Sequence, residues 1–170
     1  MTPDGKSLAA ADDDGTGRVW DLTTGTETRT FLNPKGTSHG MSISLDGKRL
    51  VSTSRDGMVR VWDLAAGTEV KSWKAHQIEA LSAAFSPDGL SIVTTGNPKS
   101  VKVWDTRTWR EVLSLKGHTD TPLPAVYSPD GRILATAGVD KSVRLWDAAT
   151  GAPLRTLLGR PPDAAWRFIG

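Results

Sequence analysis

The chain has 170 residues, no cysteine and a net charge of +2, from 21 lysines and arginines against 19 aspartates and glutamates. The lack of cysteine excludes disulfides, thiolate metal sites and a cysteine nucleophile. Because the charges are mixed and no basic run reaches five residues, electrostatics do not support binding to nucleic acid or to a membrane. The first residues lack the basic and apolar segments of a signal peptide, and no apolar run approaches the length of a membrane span. We expect a cytoplasmic protein by default, unless the chain is part of a longer one.

One pattern of short strands and tight turns repeats along the chain. The first copy begins at the turn signal Asp4-Gly5, and its alternating residues predict strands at Ser7 to Ala11, Arg18 to Asp21 and Glu27 to Leu32. The later copies open with predicted strands at Met41 to Ser44, Leu81 to Ser86 and Ala125 to Ser128. Each copy therefore indicates antiparallel strands joined by hairpin turns.

The period of this pattern is 42 residues, and it does not drift. The turns lie at Asp4-Gly5, Asp46-Gly47, Asp88-Gly89 and Asp130-Gly131. A basic residue returns at Arg18, Arg60, Lys102 and Arg144. The Trp-Asp pairs lie at Trp20-Asp21, Trp62-Asp63, Trp104-Asp105 and Trp146-Asp147. A period in the low forties that ends in Trp-Asp is typical of β-propeller blades.

On these residues the sequence resembles the WD-repeat β-propeller family over essentially its whole length. The resemblance implies an all-β fold, in which one WD-repeat domain over residues 1–170 contains four blades of four antiparallel strands. Propellers of the family usually have about seven or eight blades, so four blades make roughly half a circle. Three arrangements follow: half of an eight-bladed ring completed by a second copy in a homodimer, part of a larger propeller, or a closed four-bladed monomer.

The two ends of the chain are complementary in this prediction. The first copy lacks its opening strand, whereas Ala164 to Ile169 aligns with Leu123 to Tyr127 as a spare opening strand after the fourth copy. A terminal strand that completes the first blade hides edges that would otherwise pair with other chains. We expect residues 164–169 to complete a first blade, either in the same chain or in a second copy.

In the family that the sequence resembles, a His, a Ser or Thr, an Asp and the Trp of a blade form a buried hydrogen-bonded tetrad. His118, Thr136, Asp140 and Trp146 match it fully. A His, a hydroxyl and an Asp also suggest an acyl-transfer triad. We prefer the structural role, because a buried imidazole and a buried indole N–H both need partners.

The other copies keep only parts of the tetrad. The retained residues are His76, Thr94 and Trp104 in the third copy, Ser52, Asp56 and Trp62 in the second, and Asp14 and Trp20 in the first. Pro98 stands at the Asp position of the third copy, and Pro34 stands at the His position of the second. A catalytic set would not be expected to fade in this way across equivalent blades. We therefore predict no catalytic residue and no enzyme activity.

Two further patterns receive structural interpretations. Asp12 to Gly15 resemble a calcium loop, yet Ala10 stands at the first ligand position and no Glu closes the loop. We prefer a hairpin turn there and predict neither a metal nor another cofactor. The basic residue that precedes each Trp by two positions lies on the Trp side of its strand, which favours a role in packing.

Partners of the family often bind the face formed by the loops beside the tetrad His and Asp. On this sequence that face would present Arg55, Met58, Gln77, Glu79, Asn97, Asp120 and Lys141. At the opposite face, Trp109 replaces the glycine of Gly25, Gly67 and Gly151, and it either contacts a partner or folds back on its own blade. The sequence thus predicts a non-catalytic scaffold for protein partners that it does not identify. The alternative is a regulatory or substrate-recruiting propeller domain of a larger enzyme.

Overall fold

A computed structural model describes residues 2, 4–11, 15–32 and 38–159. The spare strand Ala164 to Ile169, the tetrad candidate Asp14, the loop residues Asp12 and Asp13, and Pro34 lie outside the described residues. The described residues form fifteen strands and no helix. Within them, no helix is therefore long and apolar enough to cross a membrane.

The strands form four antiparallel sheets, one for each copy of the repeat. The first has three strands, β1 (Ser7–Ala11), β2 (Thr16–Asp21) and β3 (Thr26–Leu32). The second contains β4 (Ser38–Ile43), β5 (Arg49–Ser54), β6 (Met58–Asp63) and β7 (Thr68–Lys74). The third contains β8 (Ala80–Phe85), β9 (Ser91–Gly96), β10 (Ser100–Asp105) and β11 (Glu111–Leu115). The fourth contains β12 (Pro122–Tyr127), β13 (Ile133–Gly138), β14 (Ser142–Asp147) and β15 (Pro153–Leu158). The predicted fold class, all-β with antiparallel blades, is confirmed.

The opening strands of the second, third and fourth blades begin earlier than the sequence predicted. The fourth begins at Pro122 rather than at Ala125, and the second begins at Ser38 rather than at Met41. In each case a register shift lies near the start of the strand, as between Ser38 and Gly40. A bulge of this kind inserts an unpaired residue and lets the strand continue beyond it, so alternation alone places the start too late.

The Asp-Gly turns that lead into β1, β5, β9 and β13 are closed by one local device, in which the aspartate accepts from a hydroxyl two residues before it and from an amide two residues after it. In the second blade, the Asp46 carboxylate accepts hydrogen bonds from the Ser44 hydroxyl at 2.6 Å and from the Lys48 amide at 3.0 Å. Gly47 has a φ of 70°, a conformation that favours glycine. The bond from Ser44 and then that from Lys48 lower the pKa of Asp46, although burial opposes them. The device explains why Asp-Gly recurs at every period.

The blades pack face to face in chain order. Val51, Val59 and Val61 of the second blade pack against the third blade at Ile92 and Trp104. We call the face of a blade that packs against the next blade in the chain its leading face, and the face that packs against the preceding blade its trailing face. The first and second blades meet in the same way, as do the third and fourth. The opening strands accordingly lie side by side, β4 next to β8 and β8 next to β12, and β4 also lies next to β1, the first described strand of the first blade.

Aromatic rings mark two of these joints. Phe31 of the first blade lies 5.3 Å from Trp62 of the second, and Trp73 of the second lies 5.4 Å from Trp104 of the third, between ring centroids. Trp62, Trp104 and, in the fourth blade, Trp146 therefore lie on trailing faces. Such tilted aromatic contacts add to the free energy gained from the buried apolar area.

Candidate interaction surface

The fourth blade brings its four tetrad candidates into one buried network. The His118 ring lies 2.9 Å from Asp140 through Nδ1 and 2.8 Å from the Thr136 hydroxyl through Nε2. Trp146 donates its indole N–H to the same Thr136 hydroxyl at 2.9 Å. Both ring nitrogens of the histidine therefore have a partner inside the blade.

The chain of bonds fixes the direction of each proton. Because an ionised Asp140 can only accept, Nδ1–H of His118 donates to it, and Nε2 of the neutral imidazole then accepts the Thr136 proton while the Thr136 oxygen accepts from Trp146. Asp140 also accepts from the Ser142 hydroxyl and from the Thr119 amide. Burial acts to raise the pKa of Asp140, but the bonds from Ser142, Thr119 and His118 hold it well below its usual range. Asp140 is therefore a fixed anion that orients the imidazole.

The third blade keeps this network without its carboxylate. His76 contacts the Thr94 hydroxyl at 2.8 Å, and Trp104 donates to Thr94 at 2.9 Å. With Pro98 at the Asp position, Nδ1 of His76 instead lies 2.5 Å from the Ser100 hydroxyl. Burial, with a smaller contribution from the nearby Lys102 charge, lowers the pKa of His76 to about 4. His76 is therefore neutral at physiological pH.

The second blade satisfies its aspartate with an arginine. Asp56 accepts from the Ser54 hydroxyl at 2.6 Å, and Arg60 contacts the same hydroxyl at 2.9 Å and the Asp56 carboxylate at 3.5 Å. Trp62 donates to Ser52 at 2.9 Å, as the tetrad pattern predicts for that pair. Arg60 is almost fully buried. The second blade therefore keeps the Trp-to-hydroxyl bond and pairs its aspartate with a buried cation.

The repeated basic residue has a repeated acidic partner that the sequence analysis did not identify. Glutamate recurs every 42 residues in the last strand of the first three blades, where it is the register partner of the tryptophan and contacts the basic residue two positions before that tryptophan. The pairs are Arg18 with Glu27 at 3.6 Å, Arg60 with Glu69 at 3.7 Å, and Lys102 with Glu111 at 2.8 Å. Proline replaces this glutamate at Pro153, and within the described part of the chain the buried Nε of Arg144 has no hydrogen-bond partner.

Several partner-contact candidates are joined to one another across blades. Arg55 of the second blade pairs with Glu79 at 3.3 Å, and Glu79 accepts from the Asn97 side-chain amide at 3.2 Å. Asn97 in turn accepts from the Thr121 hydroxyl at the start of the fourth blade at 3.0 Å. Thr121 is a residue that the sequence analysis missed. We call this side of the molecule, which carries the β5–β6, β9–β10 and β13–β14 turns, the tetrad face.

The remaining candidates lie around the same turns. Gln77 and Asp120 are exposed in the segments that lead into the third and fourth blades. Met58, at the start of β6, is half-buried and donates its amide to Asp56 at 3.1 Å. Lys141 is exposed in the β13–β14 turn with a φ of 61°. Of these four, three therefore present accessible side chains on the tetrad face.

Trp109 lies at the opposite face and packs on the neighbouring blade. Its ring centroid is 5.8 Å from that of Trp73 in the second blade and 6.0 Å from the Arg49 guanidinium carbon. Its φ of 58° lies in the region that glycine adopts at Gly25, Gly67 and Gly151. The ring also lines a groove of about 940 Å³ between the second and third blades. Trp109 therefore helps to join two blades while part of it stays accessible.

Comparison with known proteins is consistent with this repeat architecture. Residues 1–21, 25–63, 67–105 and 109–147 each match the family model described as the WD domain, G-beta repeat. No curated protein matches the chain. The four matched segments end at the four Trp-Asp pairs of the sequence.

Proposed function

Because the chain belongs to the WD-repeat family, we propose that it is a non-catalytic scaffold that holds protein partners on its tetrad face. Repeats of this family generally mediate protein–protein interaction, and domains built from them are typically non-catalytic. The proposal assigns the histidine, hydroxyl and aspartate groups to the support of the blades. It assigns recognition to the turns that these networks hold in place.

The observation that carries this proposal is the variety of side chains at equivalent positions of the tetrad face. The residue that follows the second strand of a blade is Arg55 in the second blade, Asn97 in the third and Val139 in the fourth. The residue two positions before the opening strand is Ile78 in the third blade and Asp120 in the fourth. The strands beneath keep their residue types. A rigid framework with varied turns is the usual arrangement of a recognition surface.

The same positions are held rigidly. The Asn97 amide donates to the Glu79 carbonyl at 2.9 Å, and the Val139 amide donates to the Thr121 carbonyl at 2.9 Å. A chain of side-chain contacts also runs from Arg55 through Glu79 and Asn97 to Thr121. Together these backbone and side-chain contacts tie three blades together on one face. The side chains of Ile78 and Val139, in the same turns and segments, remain exposed, with 58% and 50% of their surface accessible. Exposed apolar groups on a preorganised surface bind with little loss of conformational entropy.

The test compares matched apolar-to-charged variants on the two faces. Ile78→Asp with Val139→Asp alters the tetrad face, and Leu90→Asp alters an equally exposed leucine in the β8–β9 turn at the opposite face. Proteins captured by the wild-type chain are identified, and each variant is then measured for binding to them in purified form. We expect the tetrad-face variant to lose binding and Leu90→Asp to retain it. Loss with Leu90→Asp alone, at unchanged melting temperatures, would show that the partner uses the opposite face.

The alternative, a recruiting domain of a larger enzyme, makes use of the same surface. It differs in what the chain is joined to, so the coding sequence on either side distinguishes the two. A catalytic domain encoded in the same reading frame would favour the alternative. A stop codon and an initiation site that delimit these residues would favour an independent scaffold.

We also propose that a second copy of the chain covers its two end faces and completes an eight-bladed ring. On the leading face of the fourth blade, Leu157 is 46% exposed, whereas the aligned Leu115 of the third blade is 4% exposed. On the trailing face of the first blade, Leu8 is 39% exposed, whereas the aligned Leu50 is fully buried. At each joint within the chain, the leading face of one blade packs against the trailing face of the next, so these two end faces could pack against each other in the same way. A head-to-tail contact repeated about a twofold axis would bury both.

Sedimentation of the wild-type chain and of two leucine variants tests this assembly. Leu157→Glu changes the end face. Leu154→Glu is the control, because Leu154 lies in the same strand but aligns with Val70 and Val112, which are exposed even in blades whose leading face is covered. We expect a dimer for the wild type and for Leu154→Glu, and a monomer for Leu157→Glu. A wild-type chain that sediments as a monomer would contradict the dimer and leave two arrangements, a larger propeller whose further blades cover these faces and a closed four-bladed monomer.

A further inference from the structure

The third blade contains an open cavity beside its incomplete tetrad. The cavity has a volume of about 460 Å³, and its lining includes Lys74, His76, Gln77, Pro98, Ser100 and Lys102. Gln77 and Pro98 are exposed, whereas His76 is buried. The cavity therefore leads from the tetrad face down to the imidazole.

The fourth blade shows what occupies the corresponding place when the aspartate is present. The Asp140 carboxylate accepts from His118 Nδ1 at 2.9 Å, from the Thr119 amide at 2.9 Å and from Ser142 through its hydroxyl at 2.6 Å and its amide at 3.1 Å. Four donors thus converge on one carboxylate. A carboxylate that accepts several such bonds is strongly stabilised in its ionised form.

The third blade has the same donors at the aligned positions, 42 residues earlier. His76 corresponds to His118, Gln77 to Thr119, and Ser100 to Ser142. Pro98, which replaces the aspartate, has no side-chain acceptor. Among the described residues, none accepts a hydrogen bond from the backbone amide of Gln77. The Ser100 hydroxyl contacts His76 at 2.5 Å and the Gly96 carbonyl only at 3.4 Å, so it retains the capacity to donate to an anion.

The charges around the cavity favour an anion. Lys74 donates to the uncharged backbone carbonyl of Asp56, and the Asp56 carboxylate is itself paired with Arg60 at 3.5 Å. Lys102 pairs with Glu111 at 2.8 Å. Two lysines against one glutamate leave an excess of positive charge at the lining. In a partly desolvated site, such an excess attracts a carboxylate more strongly than it would in open water.

We propose that this cavity receives a carboxylate side chain of a protein partner, which takes the place that the Asp140 carboxylate occupies in the fourth blade. The group would accept from Nδ1 of His76, whose present partner, the Ser100 hydroxyl at 2.5 Å, would turn to donate to the same anion, as Ser142 donates to Asp140 at 2.6 Å. The backbone amide of Gln77 would be the third donor. This proposal deepens the assigned role of the tetrad face in partner binding and rests on it. It names an aspartate or glutamate as the anchoring residue of the partner.

The first test uses acetate as the probe and needs no partner. The imidazole resonances of His76 are followed by NMR at neutral pH as sodium acetate replaces sodium chloride at constant ionic strength. His118, whose carboxylate is already in place, serves as the internal control. We expect a saturable movement of the His76 resonances and none at His118. Absence of a saturable movement would overturn the proposal and leave the tetrad-face capture experiment to decide the scaffold function separately.

Two substitutions at one position and a phosphate titration make the test specific. Pro98→Asp supplies the carboxylate within the chain and should abolish the acetate response, while Pro98→Ala removes the ring without filling the cavity and should preserve it. Both variants share any effect of losing the proline. Equal responses from the two variants would overturn the proposal. Saturation by inorganic phosphate at a lower concentration than by acetate would show that the cavity selects phosphate, and the carboxylate assignment would be wrong.

Discussion

The buried imidazole of His76 should make the stability of the protein depend on pH. Burial, assisted by the charge of Lys102, lowers the pKa of His76 in the folded chain to about 4, against 6.5 for an unperturbed histidine. Between these two values the unfolded chain binds the additional proton, so the free energy of unfolding decreases as the pH falls. The stabilising contribution of the neutral imidazole is therefore complete above pH ~6.5 and is lost as the pH approaches ~4.

The magnitude follows from the difference between the two pKa values. At ~1.4 kcal/mol for each pH unit, the fall from 6.5 to about 4 corresponds to a full loss of about 3 to 4 kcal/mol, of which about 3 kcal/mol has occurred by pH 4. His76→Gln does not titrate and shares every other ionisable group with the wild type. The difference in unfolding free energy between the two proteins should therefore shrink by about 3 kcal/mol from pH 7.5 to pH 4.

Urea unfolding at a series of pH values, with linear extrapolation, measures this difference directly. The variant retains an amide that can hydrogen-bond to Thr94, so its unfolding should stay cooperative. A difference that remains constant across the series would refute the reasoning. It would mean that the imidazole gains a proton in the folded state as readily as in the unfolded one.

Three further outcomes follow from the networks and turns. His118→Ala should lower the unfolding free energy by about 1 to 3 kcal/mol, since it leaves buried partners without a bond; a variant that lost a hydrolase activity at an unchanged melting temperature would contradict the structural role. Arg60→Met should lower the free energy of unfolding by denaturant by about 2 kcal/mol, because Asp56 then lacks its cation. The double variant Arg60→Met with Asp56→Asn should lose less unfolding free energy than the two single variants added together. Gly96→Ala should lower the melting temperature more than Gly89→Ala. The added Cβ at residue 96 would lie 2.3 Å from the Glu79 carbonyl oxygen and 2.4 Å from the His76 ring, whereas at residue 89 nothing lies within 4 Å and the cost is confined to the strain of alanine at a φ of 70°, about 1 to 2 kcal/mol. An equal loss would refute the close packing at residue 96.

The periodic part of the structure was predictable from the sequence because each blade repeats one set of local interactions. The turns and the order of the strands return every 42 residues, and the Trp-to-hydroxyl bonds return in the second, third and fourth blades, so counting was sufficient to align them. The incomplete networks were less predictable. Ser100 replaces the missing carboxylate, and Arg60 approaches Asp56 without a histidine. Neither substitute belongs to the tetrad pattern, because each depends on how far a side chain reaches within its own blade.

Contacts between blades were the least predictable feature. Trp109 was expected to contact a partner or its own blade, yet its ring lies on Trp73 of the preceding one. Arg55, Glu79 and Asn97 were identified singly, and the structure joins them in one chain of bonds. Alignment of repeats places residues within a blade but gives no distance from one blade to the next. That distance follows from the packing of the leading face on the trailing face.

The cluster of Trp73, Trp104 and Trp109 at the joint between the second and third blades has a spectroscopic consequence. Neighbouring ring centroids are 5.4 and 5.8 Å apart, with interplanar angles of 59° and 43°. Indoles this close and this steeply inclined couple their electronic transitions, so the cluster should dominate the near-ultraviolet circular dichroism of the folded chain. That signal would report the opening of a single joint in the middle of the chain. Compared with the far-ultraviolet signal of all the strands, it would reveal whether the blades separate before they unfold.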